Sequence, residues 1–166
     1  TGLPSQAGIT NKGIALIDSI KNSNFYFVDE DLDTMASGGT LIFVQQTESS
    51  LPFVRHQLTT DMDLLEMREV SVVKNFDYVS IFFRDLVKRY LGEWNITPEL
   101  IGVLRSAIGA GIEDLLVKKV AKIGAPLLDA TIEELKVSEI SADRIEIKLA
   151  TVQPRPLNNI GLHMII

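Results

Sequence analysis

Two stretches of the chain carry apolar residues at the three-to-four-residue spacing of an amphipathic helix. In residues 75–90 the repeated apolar positions are Phe76, Val79, Phe83, Leu86 and Tyr90. In residues 98–119 they are Ile101, Leu104, Ile108, Ile112 and Leu115. Thr97 is a good N-cap for the second stretch, and Pro98 fits its first helical position. The pattern therefore predicts two long helices, at residues 75–90 and 98–119.

Glycines bear on the helices in two ways. A short helix is predicted at residues 29–39, where the acidic start suits the helix dipole and Gly38 and Gly39 end the helix. Two more glycines, Gly109 and Gly111, lie inside the second long helix. Each of them either weakens that helix by about 1 kcal/mol relative to alanine or permits close packing against the first long helix.

Strands are predicted where apolar and polar residues alternate or where β-branched and aromatic residues cluster. Four such segments precede the long helices: residues 13–20, 40–46, 52–58 and 68–74. After the helices, residues 133–140 and 144–152 predict a β-hairpin with a tight turn at residues 141–143. One side of its second arm carries Ile145, Ile147 and Leu149. We therefore predict an α+β fold: a mostly antiparallel sheet with two main helices on one face, a C-terminal hairpin and an end strand.

The last ten residues, 157–166, alternate like a strand with one apolar face. That face carries Ile160, Leu162, Met164 and Ile166. Pro154 and Pro156 precede the segment and have no N–H to donate, so they separate it from the hairpin ladder. Two partners remain open for this strand. It folds back beside residues 144–152 of its own chain, or it pairs with another chain.

Composition and charge exclude several classes of function. The 166-residue chain has no cysteine, so disulfides and thiolate metal sites are impossible. The net charge is −6, and no basic patch with interleaved aromatic residues is present, so nucleic-acid binding is not expected. No apolar run approaches the roughly 18 residues that span a membrane, and no signal-peptide pattern is present. The chain begins at Thr1 without methionine, so we expect a processed or excised piece of a longer protein.

The motifs predict no catalytic residue, metal site or cofactor site. Asp29, Asp31 and Asp33 have the spacing of a calcium-binding loop, but threonines occupy its required glycine and glutamate positions. We interpret this segment as an acidic helix start. The two histidines, His56 and His163, lie far apart in sequence and outside any zinc-binding motif. A nucleophile elbow and a complete dinucleotide-binding loop are also missing from the sequence.

Two polar segments keep a binding or catalytic interpretation open. The sequence VRHQLTTD, residues 54–61, fits an active-site edge. It fits equally well a strand end that hydrogen-bonds to neighbouring chains or to its own loop. Asp61 and Asp63, together with Glu66, form either a carboxylate cluster or a solvated loop between strands, and the loop is the commoner arrangement.

The order of the elements resembles a known family. VRHQLTTD, a helix pair broken by LGEWNITPE, and the ending SADRIEIKLATVQPRPLNNIGLHMII together resemble the C-terminal part of contractile-tail sheath proteins. These proteins are found in contractile bacteriophages and related injection machines. The resemblance covers residues 51–166 and is looser before them. The chain has no long N-terminal arm before Gly8, so it resembles a fragment of a sheath protein, or one whose outer domains are missing.

The resemblance implies a structural protein, not an enzyme, that polymerises around a tail tube without a catalytic residue, metal or cofactor. The implied partners are identical subunits in stacked rings and the tail tube protein, with no nucleic acid and no membrane insertion. The implied location is a virion tail, or a related contractile injection particle, assembled in the host cytoplasm.

The same resemblance implies how the chain is divided and where subunits meet. It implies a sheath core-like α+β domain at residues 1–156, irregular over residues 1–12, and a C-terminal arm at residues 157–166. The arm would add as a strand to a neighbouring subunit. The implied interface residues are Leu157, Ile160, Leu162, Met164, Ile166, Ile145, Ile147 and Leu149. The alternative is a small enzyme or ligand-binding domain that uses VRHQLTTD and the region of Asp61 and Asp63.

Overall fold

A computed structural model describes residues 4–14, 27–46, 50–64 and 67–158. These residues form α1 (Asp29–Ser37), β1 (Phe43–Val44), β2 (Phe53–Val54), α2 (Val70–Lys88), α3 (Pro98–Val117), β3 (Asp129–Val137) and β4 (Ile145–Val152). The strands make two antiparallel two-stranded sheets, β1–β2 and β3–β4. The predicted α+β class is confirmed. The strand predicted at residues 13–20 lies, beyond Ile14, outside the described residues.

The chain divides into two compact units that each combine segments distant in sequence. Unit 1 consists of Thr1–Gln6 and Lys74–Pro154, and unit 2 consists of Ala7–Val73 and Arg155–Ile166. The predicted division into a core domain at residues 1–156 and an arm at residues 157–166 stays a prediction.

Unit 1 is built on the β3–β4 hairpin, and α2 and α3 cover the inner face of that hairpin. Its main core contains buried residues of both helices and of the segment before β3: Val79, Phe83, Ile108, Ile112, Leu115 and Leu127. The hairpin adds Ile132, Ile147 and Leu149 to this core, and Ile145 packs in a second cluster around Leu100, Leu104 and Leu135. The predicted common face of the second arm is therefore confirmed, and it is the face turned towards the helices.

The predicted strand at residues 68–74 is wrong, because α2 begins at Val70. Ser71 and Asn75 are 2% and 0% exposed, and Val79 follows with 3%. Positions four residues apart share one face of a helix. Two of these three buried positions are polar, so the apolar pattern hides the first turn of the helix. What remains visible is the alternation of valines, which is typical of a strand.

The predicted start of α3 and the predicted end of α1 are confirmed. The Thr97 hydroxyl oxygen accepts a hydrogen bond from Leu100 N–H at 3.2 Å, which is the arrangement of an N-cap. α1 ends just before Gly38 and Gly39. Gly39 has a φ of 79°, and a Cβ at that position would collide with the Thr59 carbonyl oxygen. A glycine is therefore required where the chain leaves α1.

The hairpin is longer than predicted. β3 begins at Asp129, which pairs with Val152, four residues before the predicted start of the first arm. The connection to β4 is closed by Ser138 N–H, which donates to the Arg144 carbonyl oxygen at 2.8 Å. A turn lies inside this connection, with Arg144 N–H donating to the Ser141 carbonyl oxygen at 3.2 Å. The tight turn predicted at residues 141–143 is therefore part of a wider loop.

A register shift in β3 lets the hairpin match the core. Ile132 pairs with Leu149, whereas Glu134 pairs with Lys148, so Glu133 is an extra residue in the ladder. Residues three apart on a regular strand point to opposite faces. The extra residue allows Ile132 and Leu135 both to face the helices.

Unit 2 contains the β1–β2 pair, and the two predicted neighbouring strands are confirmed as short ones. Phe43 pairs with Val54 and Val44 with Phe53. Part of the N-terminal segment runs along β2, because Asn11 N–H donates to Val54 O at 2.7 Å and Ile14 N–H donates to Pro52 O at 2.8 Å. Val54 is 1% exposed, so β2 lies in the interior of this unit.

Candidate functional site

Gln57, in the middle of VRHQLTTD, is fully buried, and each of its polar groups has a partner inside unit 2. Its side-chain oxygen accepts from Ile9 N–H at 2.9 Å, and its side-chain nitrogen donates to Ser71 Oγ at 2.9 Å. Its backbone N–H donates to Thr10 Oγ1 at 3.3 Å, and its carbonyl oxygen accepts from Val70 N–H at 2.9 Å. Gln57 therefore joins the N-terminal segment to the start of α2.

Four polar side chains form a hydrogen-bonded row beside Gln57. His56 Nε2 lies 2.8 Å from Glu69 Oε1, so the imidazole N–H donates to the carboxylate. Asn158 Nδ2 donates to the same Glu69 oxygen at 2.8 Å, and Thr10 Oγ1 donates to Asn158 Oδ1 at 3.1 Å. The Glu69 side chain is only 13% exposed. Its Oε2 is buried and has no hydrogen-bond partner within the described part of the chain.

A surface pocket of about 270 Å³ opens beside this row, and His56 and Asn158 lie in its wall. Arg55 and Asp33 line it as well, and Arg55 Nη2 donates to Asp33 Oδ1 at 2.7 Å. The guanidinium and the carboxylate already neutralise each other. A ligand of this pocket would therefore be small and polar, and it would have to compete with an existing ion pair.

The acidic residues after VRHQLTTD lie in a loop. Asp61 and Asp63 are exposed, and Asp61 N–H donates to Thr59 Oγ1 at 3.2 Å. Thr59 Oγ1 also donates to the Met67 carbonyl oxygen. Glu66 lies outside the described residues. Nowhere in the described segments do three or more His, Asp or Glu side chains gather as a metal ion would require.

The predicted interface residues fall into three groups. Ile160, Leu162, Met164 and Ile166 lie outside the described residues, and so does His163. Leu157 is 78% exposed. The side chains of the β4 group, Ile145, Ile147 and Leu149, pack against the core of their own unit. The inner face of the hairpin is therefore already covered, and its edges and outer face are what it offers to a partner.

The outer face of the hairpin carries a charged cluster. Glu134 Oε1 lies 2.8 Å from Lys136 Nζ, and Glu134 Oε2 lies 2.8 Å from Lys148 Nζ. Hydrogen bonds from both ammonium groups lower the pKa of Glu134 to about 2. The hydrogen bond with Glu134 in turn raises the pKa of Lys136 and of Lys148. This face is thus highly polar, in contrast to the inner face.

No known family model matches this chain, and no curated protein matches it. None of the helices in the described residues is long and apolar enough to cross a membrane. The functional interpretation therefore depends on the geometry of the hairpin and of the polar row in unit 2.

Sequence reasoning identified VRHQLTTD as distinctive but missed its partners. Glu69 is 13 residues from His56, and Asn158 is 89 residues from Glu69. No local spacing connects residues so far apart. A helix start at Val70 would have placed Glu69 just before it, near the end of β2, but the polar buried positions of the first turn hid that start.

Proposed function

We propose that this chain is a structural subunit of a contractile tail sheath, which polymerises around a tail tube. Its C-terminal segment, residues 157–166, would add as a strand to the β3–β4 hairpin of a neighbouring subunit. The observation that carries the proposal is the hairpin itself. Within the described residues β3 and β4 pair only with each other, so each has an outer edge without a strand partner.

An open edge attracts an extended segment because it presents unpaired N–H and C=O groups. A strand added next to β4 would continue the same pleat. Its alternating apolar residues, Ile160, Leu162, Met164 and Ile166, would then extend the apolar layer that Ile145, Ile147 and Leu149 begin. Each fully buried side chain of this kind contributes about 1.5–3 kcal/mol before the cost of ordering the segment. Repeated around a ring and along a stack, such links would hold a tube together.

The role in the particle follows from this proposal. The subunits would form stacked rings in a virion tail or related injection particle, assembled in the host cytoplasm, with the tail tube protein as the second partner. Such a subunit needs no catalytic residue, cofactor, nucleic acid or membrane contact. VRHQLTTD supports this interpretation, since Arg55, His56 and Gln57 all have hydrogen-bond partners in their own unit.

The test uses the purified chain at high concentration and electron microscopy. The chain is expected to form tubes or rings, and a variant lacking residues 159–166 is expected to stay folded but unassembled. Leu162→Lys should act like the deletion, because it places a charge on the docking face. His163→Lys is the matched control on the opposite face and should still assemble. Normal tubes from the deletion variant would show that this segment is not the connector.

One observation favours the alternative of a small enzyme or ligand-binding domain, namely the 270 Å³ pocket beside Arg55 and His56. A ligand that binds only the folded state raises the melting temperature. The alternative predicts such a rise on addition of phosphate, acetate or a divalent metal, and the loss of that rise in Arg55→Ala. The sheath proposal predicts no rise with any of these.

A further inference from the structure

Asn158 is held at two points by residues of unit 2. Its side-chain oxygen accepts a hydrogen bond from Thr10 Oγ1 at 3.1 Å, and its side-chain nitrogen donates to Glu69 Oε1 at 2.8 Å. Asparagine suits this position because one short side chain carries both an acceptor and donors. The two bonds point to opposite partners, so they fix the orientation of the side chain as well as its place.

The bond to Glu69 is the stronger of the two, because its acceptor is a nearly buried carboxylate. That carboxylate has two donors within the described residues, His56 and Asn158, and both bind Oε1. Its other oxygen, Oε2, is buried without a partner there. Removal of Asn158 would leave a buried charge with a single donor, which is unfavourable. Glu69 therefore stabilises the seated position of Asn158.

A second contact lies two residues earlier. Gly8 lies close to Pro156 and to Gln57, because a Cβ at Gly8 would lie 3.2 Å from Pro156 Cβ and 3.1 Å from Gln57 Nε2. The absence of a side chain at Gly8 lets the proline ring rest on the backbone. Pro156 and Asn158 thus contact the same N-terminal segment, at Gly8 and Thr10.

Two prolines restrict the backbone just before this attachment. Proline fixes its own φ and restricts the residue before it to extended conformations. Pro154 and Pro156 therefore restrict Gln153 and Arg155, so all four residues from 153 to 156 have few conformations. The prolines thus follow the end of the hairpin ladder at Val152 and restrict the backbone that leads to Asn158.

We propose that Asn158 is the attachment point of the C-terminal arm. Residues 155–158 stay on their own unit 2, and only the chain beyond Asn158 exchanges between subunits. The second half of this statement rests on the proposed sheath function. The first half concerns the isolated chain and holds without it. The exchanged segment would then begin after Asn158 and not at Leu157.

The test exploits the absence of cysteine from the chain. The double variant Gly8→Cys with Pro156→Cys places two thiols at a Cβ separation close to the roughly 3.5–4.5 Å of a disulfide. In dilute solution under oxidation both free thiols should be lost while the chain stays a monomer on a non-reducing gel. Gly38→Cys with Pro156→Cys is the control, since a Cβ at Gly38 meets only the Met35 carbonyl oxygen, and it should keep both thiols. Retention of both thiols in the Gly8 variant as well would contradict the proposed attachment of residues 155–158.

The same variant is then assembled in the reduced form and oxidised afterwards. If residues 155–158 stay on their own unit, the disulfides form within single chains, so the gel again shows monomers. Bonds between chains, seen as a ladder, would mean that residues 155–158 are exchanged, and would overturn the proposal while leaving the sheath function intact. If the unmodified chain forms no tubes, the sheath function fails. The result in dilute solution still shows whether residues 155–158 are attached to their own unit 2.

A spin label gives a second measurement that does not depend on the disulfide. The label is attached at Leu157→Cys, because Leu157 is 78% exposed and is the residue next to Asn158. This label should be restrained, and Asn158→Ala in the same background should give a sharper, more mobile spectrum. A label at Ile140→Cys, in the hairpin loop, should not respond to Asn158→Ala. An unchanged spectrum at position 157 would contradict Asn158 as the attachment point.

Discussion

Gly111 of α3 lies directly against Leu86 of α2. A Cβ added to Gly111 would come within 2.8 Å of Leu86 Cδ2, and within 3.2 Å and 3.3 Å of the rings of Phe82 and Phe83. By contrast, a Cβ at Gly109 would meet nothing within 4 Å. The two glycines thus have different roles in the same helix, because Gly111 permits the close approach of α2 whereas Gly109 only loosens α3.

Alanine at these two positions should therefore act in opposite directions. Gly111→Ala overfills the contact with α2 and should destabilise unit 1 by about 1–3 kcal/mol. Gly109→Ala has room for its methyl group and should stabilise α3 by up to about 1 kcal/mol. Urea unfolding followed by circular dichroism measures both. Shifts in the same direction would contradict this account of Gly111.

Gln57→Leu should destabilise unit 2 strongly. The substitution keeps the size of the side chain but leaves Ile9 N–H and Ser71 Oγ without their partner, at about 1–3 kcal/mol for each buried group left unpaired. The control is Gln46→Leu, because Gln46 is exposed, and it should change stability by less than about 0.5 kcal/mol. Equal effects of the two variants in urea unfolding would argue against Gln57 as the central link.

Thr97→Ala should cost about 1 kcal/mol of stability, because it removes the hydroxyl that accepts from Leu100 N–H at the start of α3. Thr97→Ser keeps that hydroxyl and should retain most of the stability. Thermal unfolding of the two variants side by side separates the cap from the loss of the methyl group. A loss in Thr97→Ser as large as in Thr97→Ala would show that the hydrogen bond is not the cause.

The charged cluster on the hairpin predicts a pH dependence. The pKa of Glu134 is lowered to about 2 by hydrogen bonds from Lys136 and Lys148, so its carboxylate favours the folded state. This contribution is complete above the ordinary value of 4.5 and is lost as the pH falls from 4.5 towards 2. Wild type should therefore exceed Glu134→Gln in stability at pH 7, and the difference should shrink below pH 4.5 and vanish as the pH falls through about 2. The effect is small because exposed ion pairs contribute little.

Two measurements check this pH dependence. Unfolding curves of wild type and Glu134→Gln at several pH values give the difference directly. A titration of the Glu134 carboxyl carbon by NMR gives the pKa itself. An ordinary glutamate titration at this position would remove the basis of the prediction.

The sequence was sufficient for elements whose buried positions are apolar. α3 was predicted because its buried residues, Leu104, Ile108, Ile112 and Leu115 among them, follow the helical period, and its start was predicted from Thr97 and Pro98. The second arm of the hairpin was predicted for the same reason at the period of a strand. In both cases the apolar residues are the buried ones, and their spacing along the chain shows whether the element is a helix or a strand.

The same reasoning failed where buried positions are polar. Ser71 and Asn75 are as buried as the valines near them, since Ser71 bonds to Gln57 and Asn75 donates to the Pro126 carbonyl oxygen at 2.7 Å. These partners are distant in sequence, so nothing in residues 68–74 shows that their polar side chains are satisfied inside the protein. The start of α2 and the row around Glu69 were out of reach for this reason.

The hydrogen bond between Thr10 and Asn158 joins residues 148 positions apart, with most of unit 1 between them in the chain. Such a contact closes a very long loop, and its entropic cost must be met before the contact stabilises anything. Folding slows as contacting residues lie farther apart in sequence. During synthesis, the N-terminal segment of unit 2 has to wait until all the intervening residues have left the ribosome. Unit 2 should thus be the last part of the molecule to mature, and a slow refolding phase should report on it.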